Sequence, residues 1–416
     1  MPPSQRVLRP RKQRPDAPAK ARSRTQRKRS KRHEGQSLVS PRPLKLPLEL
    51  LLLVLSEVDS NTTLVKASRV CRTFQNEVEH ILYREVIVYR VPHIRSLHRA
   101  LTKAPRRASL IHTFRLVDNG RIAMVVPLLN EILLTLKNLK HLELDLTSCF
   151  YRPELYRSVL RTLSECPFAL QSYESYVGSD AELIRFLSRQ PSIEFFGIKG
   201  AVLDMPEWTL PQDVLPRLKY LQTDDDFYLS ALHAPRMVTH LDVSALPIDE
   251  DQLHDILQNV GKQLVSFKYA RDSLPPFPID QPVDILRGGA LPKLKFLELG
   301  DFMERGAESC FDPHADISYV SEPSFALDTL VWSAVWFTNA GRDGILHEPI
   351  GRLAYARLWA KKLLQASRTL RRIYYVELDE FEGDFMTGTL FTLSADGVVL
   401  SHEHKGEEEI PMWYTV

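Results

Sequence analysis

The sequence predicts an α/β fold in which three short helices lead into an irregular solenoid of strand, loop and helix repeats that ends in a β-rich cap. Three observations predict this fold. A leucine-dense stretch at residues 46–55, LPLELLLLVL, opens a run of three helix-like segments. An apolar triplet with offsets 0, +3 and +5 then recurs ten times. After the last helical stretch, the strand-like segments YYVELDEF, GTLFTLSADG and GVVLSHEH follow one another.

Residues 1–45 form a basic tail. They hold 15 Lys or Arg against Asp16 and Glu34, a net charge of +13, whereas the rest of the 416-residue chain holds 39 bases and 50 acids, a net charge of −11. The tail has almost no aliphatic or aromatic content, so we expect it to be disordered. Its two basic clusters favour a nuclear-import signal and a nuclear or nucleocytoplasmic protein, with electrostatic contact to nucleic acid or a solvated tail as alternatives.

The leucine-dense stretch is not a membrane span, because Glu49 interrupts it and it is far shorter than the roughly 20 residues that a bilayer requires. No small-residue cleavage site follows it, which argues against a signal peptide. The four cysteines, Cys71, Cys149, Cys166 and Cys310, contain no CxxC pair. Their spacing indicates neither a zinc site nor a disulfide framework and favours a reducing, intracellular compartment.

Residues 46–86 predict three short helices. Pro47 suits a helix start, and the polar cluster at residues 59–62 ends that helix and offers caps for the next. The first helix can face the other two with Leu50, Leu51, Val54, Leu55 and Val58, which leaves Leu48, Leu52 and Leu53 on its other side. A unit of about 40 residues cannot bury a helix that is apolar nearly all round, so we expect the surplus leucines to face a partner chain.

The same segment resembles an F-box. The matching residues are Leu46-Pro47, Glu49-Leu50, Val54-Leu55-Ser56, Val58, Leu64, Ser68, Val70-Cys71-Arg72 and Phe74, and the trailing LYREV resembles the form common in fungal F-box proteins. The resemblance implies docking on the small adaptor subunit of an SCF-type cullin-RING ubiquitin ligase. It places eight residues at or just behind that interface, namely Leu46, Pro47, Leu50, Leu53, Val54, Val70, Cys71 and Phe74. On the same resemblance, Cys71 is a small buried hydrophobic side chain.

The apolar triplets begin at Ile111, Leu139, Leu170, Ile193, Leu218, Val238, Leu264, Leu294, Leu327 and Leu370. Most steps between them fall in or near the 20 to 29 residues of leucine-rich repeats, and helical stretches such as PLLNEILLTLKN lie between them. Offsets 0, +3 and +5 point into a core that no single repeat can bury, so neighbouring repeats must stack. This predicts a solenoid with a parallel sheet on its concave face and helices outside.

The repeat resembles the leucine-rich repeats of F-box proteins, but the asparagine expected at offset +8 is found only at Asn119. We therefore expect an irregular arc with uneven strand spacing; an ordinary α/β domain is the alternative. The predicted segments are a basic tail (1–45), an F-box (46–86), an irregular leucine-rich-repeat solenoid (87–377) and a C-terminal β cap (378–416). In the cap, Asp396-Gly397 is typical of a hairpin turn.

Offsets +1, +2 and +4 of each repeat strand are expected to line the concave face. Bases and acids occur there in similar numbers, so neither sign dominates. Only Arg371-Arg372 approaches an arginine cluster for a phosphorylated target. Aromatic residues on this face are typical anchors of a protein interface. The residues that we expect to bind a target are Phe195, Tyr220, Phe296, Arg371, Arg372 and Tyr374.

No enzyme motif is found in the sequence, because GxxxxGK, GxGxxG, HExxH and GxSxG are all missing. His402 and His404 share one strand face without a third metal ligand, and residues 224–226, three aspartates, lack the spacing of a calcium loop. We expect no cofactor, no metal site and no catalytic residue.

The sequence favours a substrate receptor whose F-box binds the adaptor and through it the cullin scaffold, whose repeats hold a protein target, and whose tail meets a nuclear import receptor. One alternative is a leucine-rich scaffold protein that joins no ligase. Another is a nucleic-acid-associated protein that attaches through its tail. The acidic body argues against nucleic-acid binding by the fold itself.

Overall fold

The computed structural model describes residues 47–176, 181–199, 210–223, 229, 232, 236–247, 250–272, 284–304, 317–322, 325–337, 350–379, 387–405 and 413–415. The chain divides into two compact units, residues 1–51 and 52–416. The predicted tail, residue Leu46, the aspartates at 224–226 and Cys310 lie outside the described residues.

The first three helices are α1 (Leu48–Ser56), α2 (Asn61–Ala67) and α3 (Arg72–Arg84). The later ones are α4 (Val91–Lys103), α5 (Val126–Thr135), α6 (Pro153–Glu165), α7 (Ala181–Ser188), α8 (Glu250–Val260) and α9 (Ile350–Ala366). A short 3-10 helix, Pro105–Leu110, follows α4.

Within the described ranges a single sheet contains thirteen strands, and its spatial order is the order of the chain. The short strands are β1 (Glu85–Val88), β2 (Thr113–Leu116), β3 (His141–Leu144), β4 (Ser172–Ser175), β5 (Phe195–Ile198) and β6 (Tyr220–Thr223). The longer ones are β7 (His240–Pro247), β8 (Ser266–Asp272), β9 (Phe296–Glu304), β10 (Thr329–Phe337), β11 (Arg372–Asp379), β12 (Thr387–Leu393) and β13 (Val399–Lys405). Strands β1 to β11 are parallel, and β12 and β13 are added antiparallel.

The predicted starts of the first two helices are present. The amide of Leu51 donates to the carbonyl of Pro47 at 3.1 Å, so α1 begins directly after the proline. Ser60, from the predicted capping cluster, accepts the amide of Thr63 through its side chain at the start of α2.

The ten triplets form the core of the sheet. Each one carries one of the strands β2 to β11, and its offset-0 residue is buried, as at Ile111, Leu170 and Leu264. Offsets +3 and +5 face the helices, so Phe114 and Leu142 pack in one hydrophobic cluster with residues of α5 and α6. The described part of the chain is therefore a mixed α/β structure built on a long, mainly parallel sheet.

The backbone ladder is more regular than we expected from the missing asparagines. At nearly every step the amide at offset +1 donates to the offset +1 carbonyl of the preceding repeat, as Lys140 does to His112 and Gln171 does to Lys140, both at 2.8 Å. The main chain alone keeps the strands in register, so the asparagine is not needed for it. The unevenness lies in strand length, with four residues in β1 to β6 and seven to nine in β7 to β11, and in a register shift between Val243 and Pro247.

Two predicted boundaries fall inside strands. Glu85 and Val86, at the end of the predicted F-box, already pair with β2 as part of β1, and β11 continues to Asp379, beyond the predicted start of the cap. β1 extends the pattern by one repeat beyond the ten recognised triplets, because Tyr83, Val86 and Val88 stand at offsets 0, +3 and +5 and pack in the main hydrophobic cluster. Beyond β11, the β12–β13 hairpin turns at Gly397, whose φ of 75° suits the predicted Asp-Gly turn.

Candidate functional site

Helix α1 presents an apolar face to solvent. Leu53 and Val54 are 58% and 57% exposed, and Leu50 is also exposed. The spacing of three and four residues places these side chains on one face of the helix. Leu51 and Leu55 are buried instead. The expectation that Leu50 and Val54 are core residues is therefore wrong, and their exposure enlarges the apolar surface beyond the predicted surplus leucines.

The predicted adaptor-binding residues before α3 are also accessible. Val70 is 69% exposed, and Cys71, at the N-cap of α3, is exposed without a side-chain capping bond. The expectation of a buried Cys71 is not met in the isolated chain, because no neighbouring element of the described structure covers it. Phe74 is half-buried and Pro47 is exposed. Leu46 and the side chain of Leu48 lie outside the described residues.

The sheet face opposite the helices, called here the open face, carries two rows of side chains. Offset +2 gives a row that includes His141, Ser172, Phe195, Tyr220 and His240. Offset +4 gives a row that runs Arg115, Glu143, Glu174, Gly197, Gln222, Asp242, Lys268, Glu298, Val331 and Tyr374. Offset +1, which we also expected on this face, lies directly before each strand, and Gln171 and Glu194 at this offset line a groove on this face.

A groove of about 990 Å³ runs over the open face. Its lining extends from Glu85 and Arg115 on the first two strands, past Phe195, to Val376 on β11 and Trp413. The groove lies entirely within residues 52–416. Its volume is that of a binding cleft, but its polar lining differs from the apolar pockets typical of small-molecule sites.

Charges in and beside the groove are compensated between neighbouring strands. Lys268 lies 2.9 Å from Glu298, and Arg115 lies 3.6 Å from Glu143. Further pairs join Lys199 to Glu174 at 3.7 Å and Lys219 to Glu194 at 2.9 Å. Opposite charges thus face each other across adjacent strands, although the groove lining holds five glutamates against Arg115, Lys199 and Lys268.

Burial changes the titration of two groove residues. Burial and the neighbouring carboxylate of Glu143 raise the pKa of Glu174, and Lys199 only partly offsets them. Burial, followed by the charges of Lys140 and Arg115, lowers the pKa of His141. Both shifts favour the uncharged form of the side chain.

Three rings on neighbouring strands form what we call the aromatic platform: Phe195, Tyr220 and His240. The Phe195 and Tyr220 rings are stacked with centroids 6.1 Å apart, and the Tyr220 and His240 ring centroids are 4.3 Å apart. The indole of Trp413 lies against this platform, 6.0 Å from Phe195 between ring centroids. The predicted target-binding residues Phe195 and Tyr220 thus belong to the groove, and the sequence patterns gave no sign of Trp413.

Phe296 and Tyr374 lie on the predicted face of the sheet but are not exposed. Both are buried in a second hydrophobic cluster, separate from the main core, that contains Val331, Val376 and Trp413. The covering residue Trp413 is remote in sequence, which explains why strand offsets alone predicted these two rings to be accessible.

Arg371 and Arg372 share one carboxylate. Arg372 donates to Asp328 at 2.7 Å, and Arg371 lies 3.7 Å from the other oxygen of the same carboxylate. The carboxylate neutralises part of the charge that a phosphorylated target would require. The arginine pair is therefore weaker as a phosphate site than the sequence suggests.

Among the described residues no group of His, Cys, Asp and Glu side chains could hold a metal ion. The described part of the chain also contains no helix that is both long enough and apolar enough to cross a membrane. His402 and His404 both lie on strand β13, where the sequence places them.

Comparison with known families identifies the helical segment at the start of the described chain. A family model described as F-box-like matches residues 44–88. The chain contains an F-box-like domain. This domain includes α1, α2, α3 and β1, and with them the exposed residues Leu53, Val54 and Val70. A search of curated proteins finds no match to the chain.

Proposed function

We propose that this protein is the substrate-receptor subunit of an SCF-type cullin-RING ubiquitin ligase. The observation that carries the proposal is the F-box-like match at residues 44–88 together with the exposure of its apolar residues Leu50, Leu53, Val54 and Val70. An apolar surface of this kind on a folded chain marks a contact with another protein. F-box domains in general bind the adaptor of SCF complexes.

A receptor of this kind catalyses no reaction itself. It holds a target protein near a ubiquitin-charged enzyme and thereby raises the effective concentration of the target's lysines. The groove on the open face is the surface that we assign to the target. Its compensated charges and aromatic platform suit a protein segment better than a highly charged ligand.

The sheet and its helices, in this proposal, are an irregular leucine-rich-repeat solenoid of the kind found in fungal F-box proteins. The ten triplets at the strands β2 to β11 and the parallel, in-sequence strand order support this assignment. The antiparallel strands β12 and β13 then serve as the cap of its open end. We assign the basic residues 1–45 to nuclear import.

The test is capture of purified adaptor and cullin by the full-length chain. A triple variant, Leu50→Ala with Leu53→Ala and Val54→Ala, removes the exposed apolar face of α1. The matched control is Met124→Ala with Met237→Ala and Leu358→Ala, which removes as many exposed apolar side chains outside the matched segment. We expect the wild type and the control to capture adaptor and the α1 variant to lose it, because few residues carry most of an interface's binding energy.

Failure of all three chains to capture adaptor contradicts the proposal and favours a leucine-rich scaffold protein. Equal capture by all three assigns the adaptor contact to another surface. A separate deletion of residues 1–45 tests the tail. We expect altered location with adaptor capture kept, whereas a nucleic-acid-associated protein would lose its main binding activity.

A further inference from the structure

Trp413 lies on the open face although it belongs to the last residues of the sequence. Its side chain is only 6% exposed. Its ring centroid lies 6.3 Å from that of His240 and 6.5 Å from that of Tyr220, in addition to the contact with Phe195. The neighbouring Tyr414 adds an edge contact with Phe195, at 6.0 Å between ring centroids. The chain thus places its own aromatic residues in its groove.

Trp413 meets the three rings of the platform at centroid distances of 6.0 to 6.5 Å, in tilted or edge-on arrangements. Ring pairs in the core vary: Phe267 and Tyr269 stack with centroids 4.8 Å apart, whereas the centroids of Tyr173 and Phe196 lie 6.2 Å apart. The spacings of Trp413 lie in the outer part of the range for aromatic pairs, about 4.5 to 7 Å. Trp413 therefore contacts all three platform rings without stacking on any one of them, and a different aromatic side chain can occupy the same position.

The polar side chains around the aromatic platform do not favour a charged ligand. Glu194 beside it is paired with Lys219, and Gln222 donates to Asp242 at 2.7 Å. The side chains that a ligand meets next to the platform are thus already paired with one another. Aromatic contact, rather than net charge, distinguishes this part of the groove.

We propose that the groove binds a target peptide that presents a tryptophan side chain to Phe195, Tyr220 and His240, and that residues 413–415 are the intramolecular competitor of that peptide. This inference rests on the proposed function in taking the groove as the target-binding surface. A segment on the same chain has a high effective concentration at the site. A target peptide must displace it, so the apparent affinity falls with the fraction of molecules whose groove is open.

The experiment uses the full-length chain and a fluorescein-labelled peptide with the sequence EIPMWYTV, which is residues 409–416. Fluorescence anisotropy measures peptide binding to the wild type and to Trp413→Ala. We expect Trp413→Ala to bind the peptide at least about tenfold more tightly, which corresponds to a groove that is open in roughly one wild-type molecule in ten. A peptide with alanine in place of its tryptophan should not bind, and one with leucine should bind weakly.

Two further variants locate the binding site. In the Trp413→Ala chain, Phe195→Ala should abolish peptide binding because it removes the platform ring that contacts both Trp413 and Tyr414 in the wild type. Tyr151→Ala, at an exposed tyrosine that does not line the groove, should leave binding unchanged. Equal peptide affinity of the wild type and Trp413→Ala overturns the inference, and so does binding that survives Phe195→Ala.

A second measurement decides the matter if Trp413→Ala fails to fold. A protease site inserted between residues 405 and 409 of the otherwise wild-type chain allows the segment to be cut after folding. Cleavage followed by removal of the released fragment should give the same gain in peptide binding, and no gain overturns the inference. Adaptor capture is recorded on the same preparations. Adaptor capture without peptide binding contradicts this inference but leaves the proposed receptor function intact. Peptide binding without adaptor capture supports this inference and contradicts the proposed ligase function.

Discussion

The carboxylate of Glu79 accepts a hydrogen bond from the guanidinium of Arg107 at 2.8 Å. Glu79 lies in α3, within the F-box-like segment, and Arg107 lies in the 3-10 helix that leads to β2. The other carboxylate oxygen accepts from Arg106, also at 2.8 Å. Glu79 is 6% exposed, so one nearly buried acid ties the third helix to the segment before the second strand.

We predict that Glu79→Gln lowers the free energy of unfolding by about 2 kcal/mol at neutral pH, because it weakens two charge-assisted hydrogen bonds. Burial acts to raise the pKa of Glu79, but the hydrogen bonds from Arg107 and Gln75 outweigh it and hold the pKa below its ordinary value. The stability that this carboxylate contributes is therefore present above about pH 4.3 and is lost as the pH falls further.

Denaturant unfolding of the wild type and Glu79→Gln between neutral and acidic pH measures this difference. Glu131→Gln is the control, because Glu131 forms a solvent-exposed pair with His98 and should cost less than about 1 kcal/mol. A Glu79→Gln effect of the same size at every pH would show that the charge of Glu79 contributes nothing.

The opposite pH dependence is expected for Glu174 in the groove. Its raised pKa means that folding disfavours the ionised form, so the carboxylate costs stability at neutral pH. Glu174→Gln should raise the free energy of unfolding at pH 7 by a few tenths of a kcal/mol, within the usual size of surface effects. The gain should shrink as the pH falls toward the ordinary range of a glutamate. Lys199 keeps a partner in the variant, because its ammonium lies 5.3 Å from the ring centroid of Tyr176.

Thermal unfolding at several pH values checks this prediction, with Glu194→Gln as the control. Glu194 is half-exposed and paired with Lys219, so its replacement should change the melting temperature little at any pH. A destabilised Glu174→Gln at neutral pH would contradict the assignment.

Substitutions of two leucines of α1 distinguish a role in folding from a role in partner binding. Leu55 is buried, and Leu55→Ala should lower the free energy of unfolding by about 2 to 4 kcal/mol because it creates a cavity. Leu53 is exposed, and Leu53→Ala should cost less than about 0.5 kcal/mol. Denaturant unfolding measures both values. If Leu53→Ala destabilises the isolated chain as much as Leu55→Ala does, Leu53 is a core residue rather than a docking residue.

The hairpin between β12 and β13 depends on a left-handed backbone at Gly397. Its φ is 75°, and a Cβ there would meet no atom within 4 Å, so Gly397→Ala strains the backbone without a clash. We expect a loss of about 1 to 2 kcal/mol in the free energy of unfolding. Gly300→Ala on β9 is the control, because its Cβ would make an ordinary contact of 3.5 Å with Ala270. Similar losses in the two variants would remove backbone strain as the cause.

The local pattern of the sequence predicts the sheet well and the covering of its open face poorly. Offsets 0, +3 and +5 identify the buried residues of β2 to β11, because strand alternation and burial act within a few residues. β1 follows the same pattern, although its offset-0 residue, Tyr83, still belongs to helix α3. The contact of Trp413 with Phe195 joins remote parts of the chain, so no periodicity reports it, and the burial of Phe296 and Tyr374 is missed with it.

The exposed face of α1 is a second feature that the sequence predicts only in part. Composition predicts that the helix carries more leucine than a small bundle can bury, but not which side chains remain outside. That choice depends on the packing of Leu51 and Leu55. Only the structure shows that Leu50 and Val54 are exposed.

Because of the register of the parallel strands, residues of the open face can change during evolution while the core residues stay the same. Each strand adds one side chain to the +2 row and one to the +4 row, and these rows lie across the sheet from the buried triplets. A mutation at Ser172 or Gln222 changes one point of the surface while the leucines behind it stay in place. Such a scaffold can acquire a new ligand through substitutions made one strand at a time. A protein engineer could follow the same route by randomising the two rows and keeping every triplet unchanged.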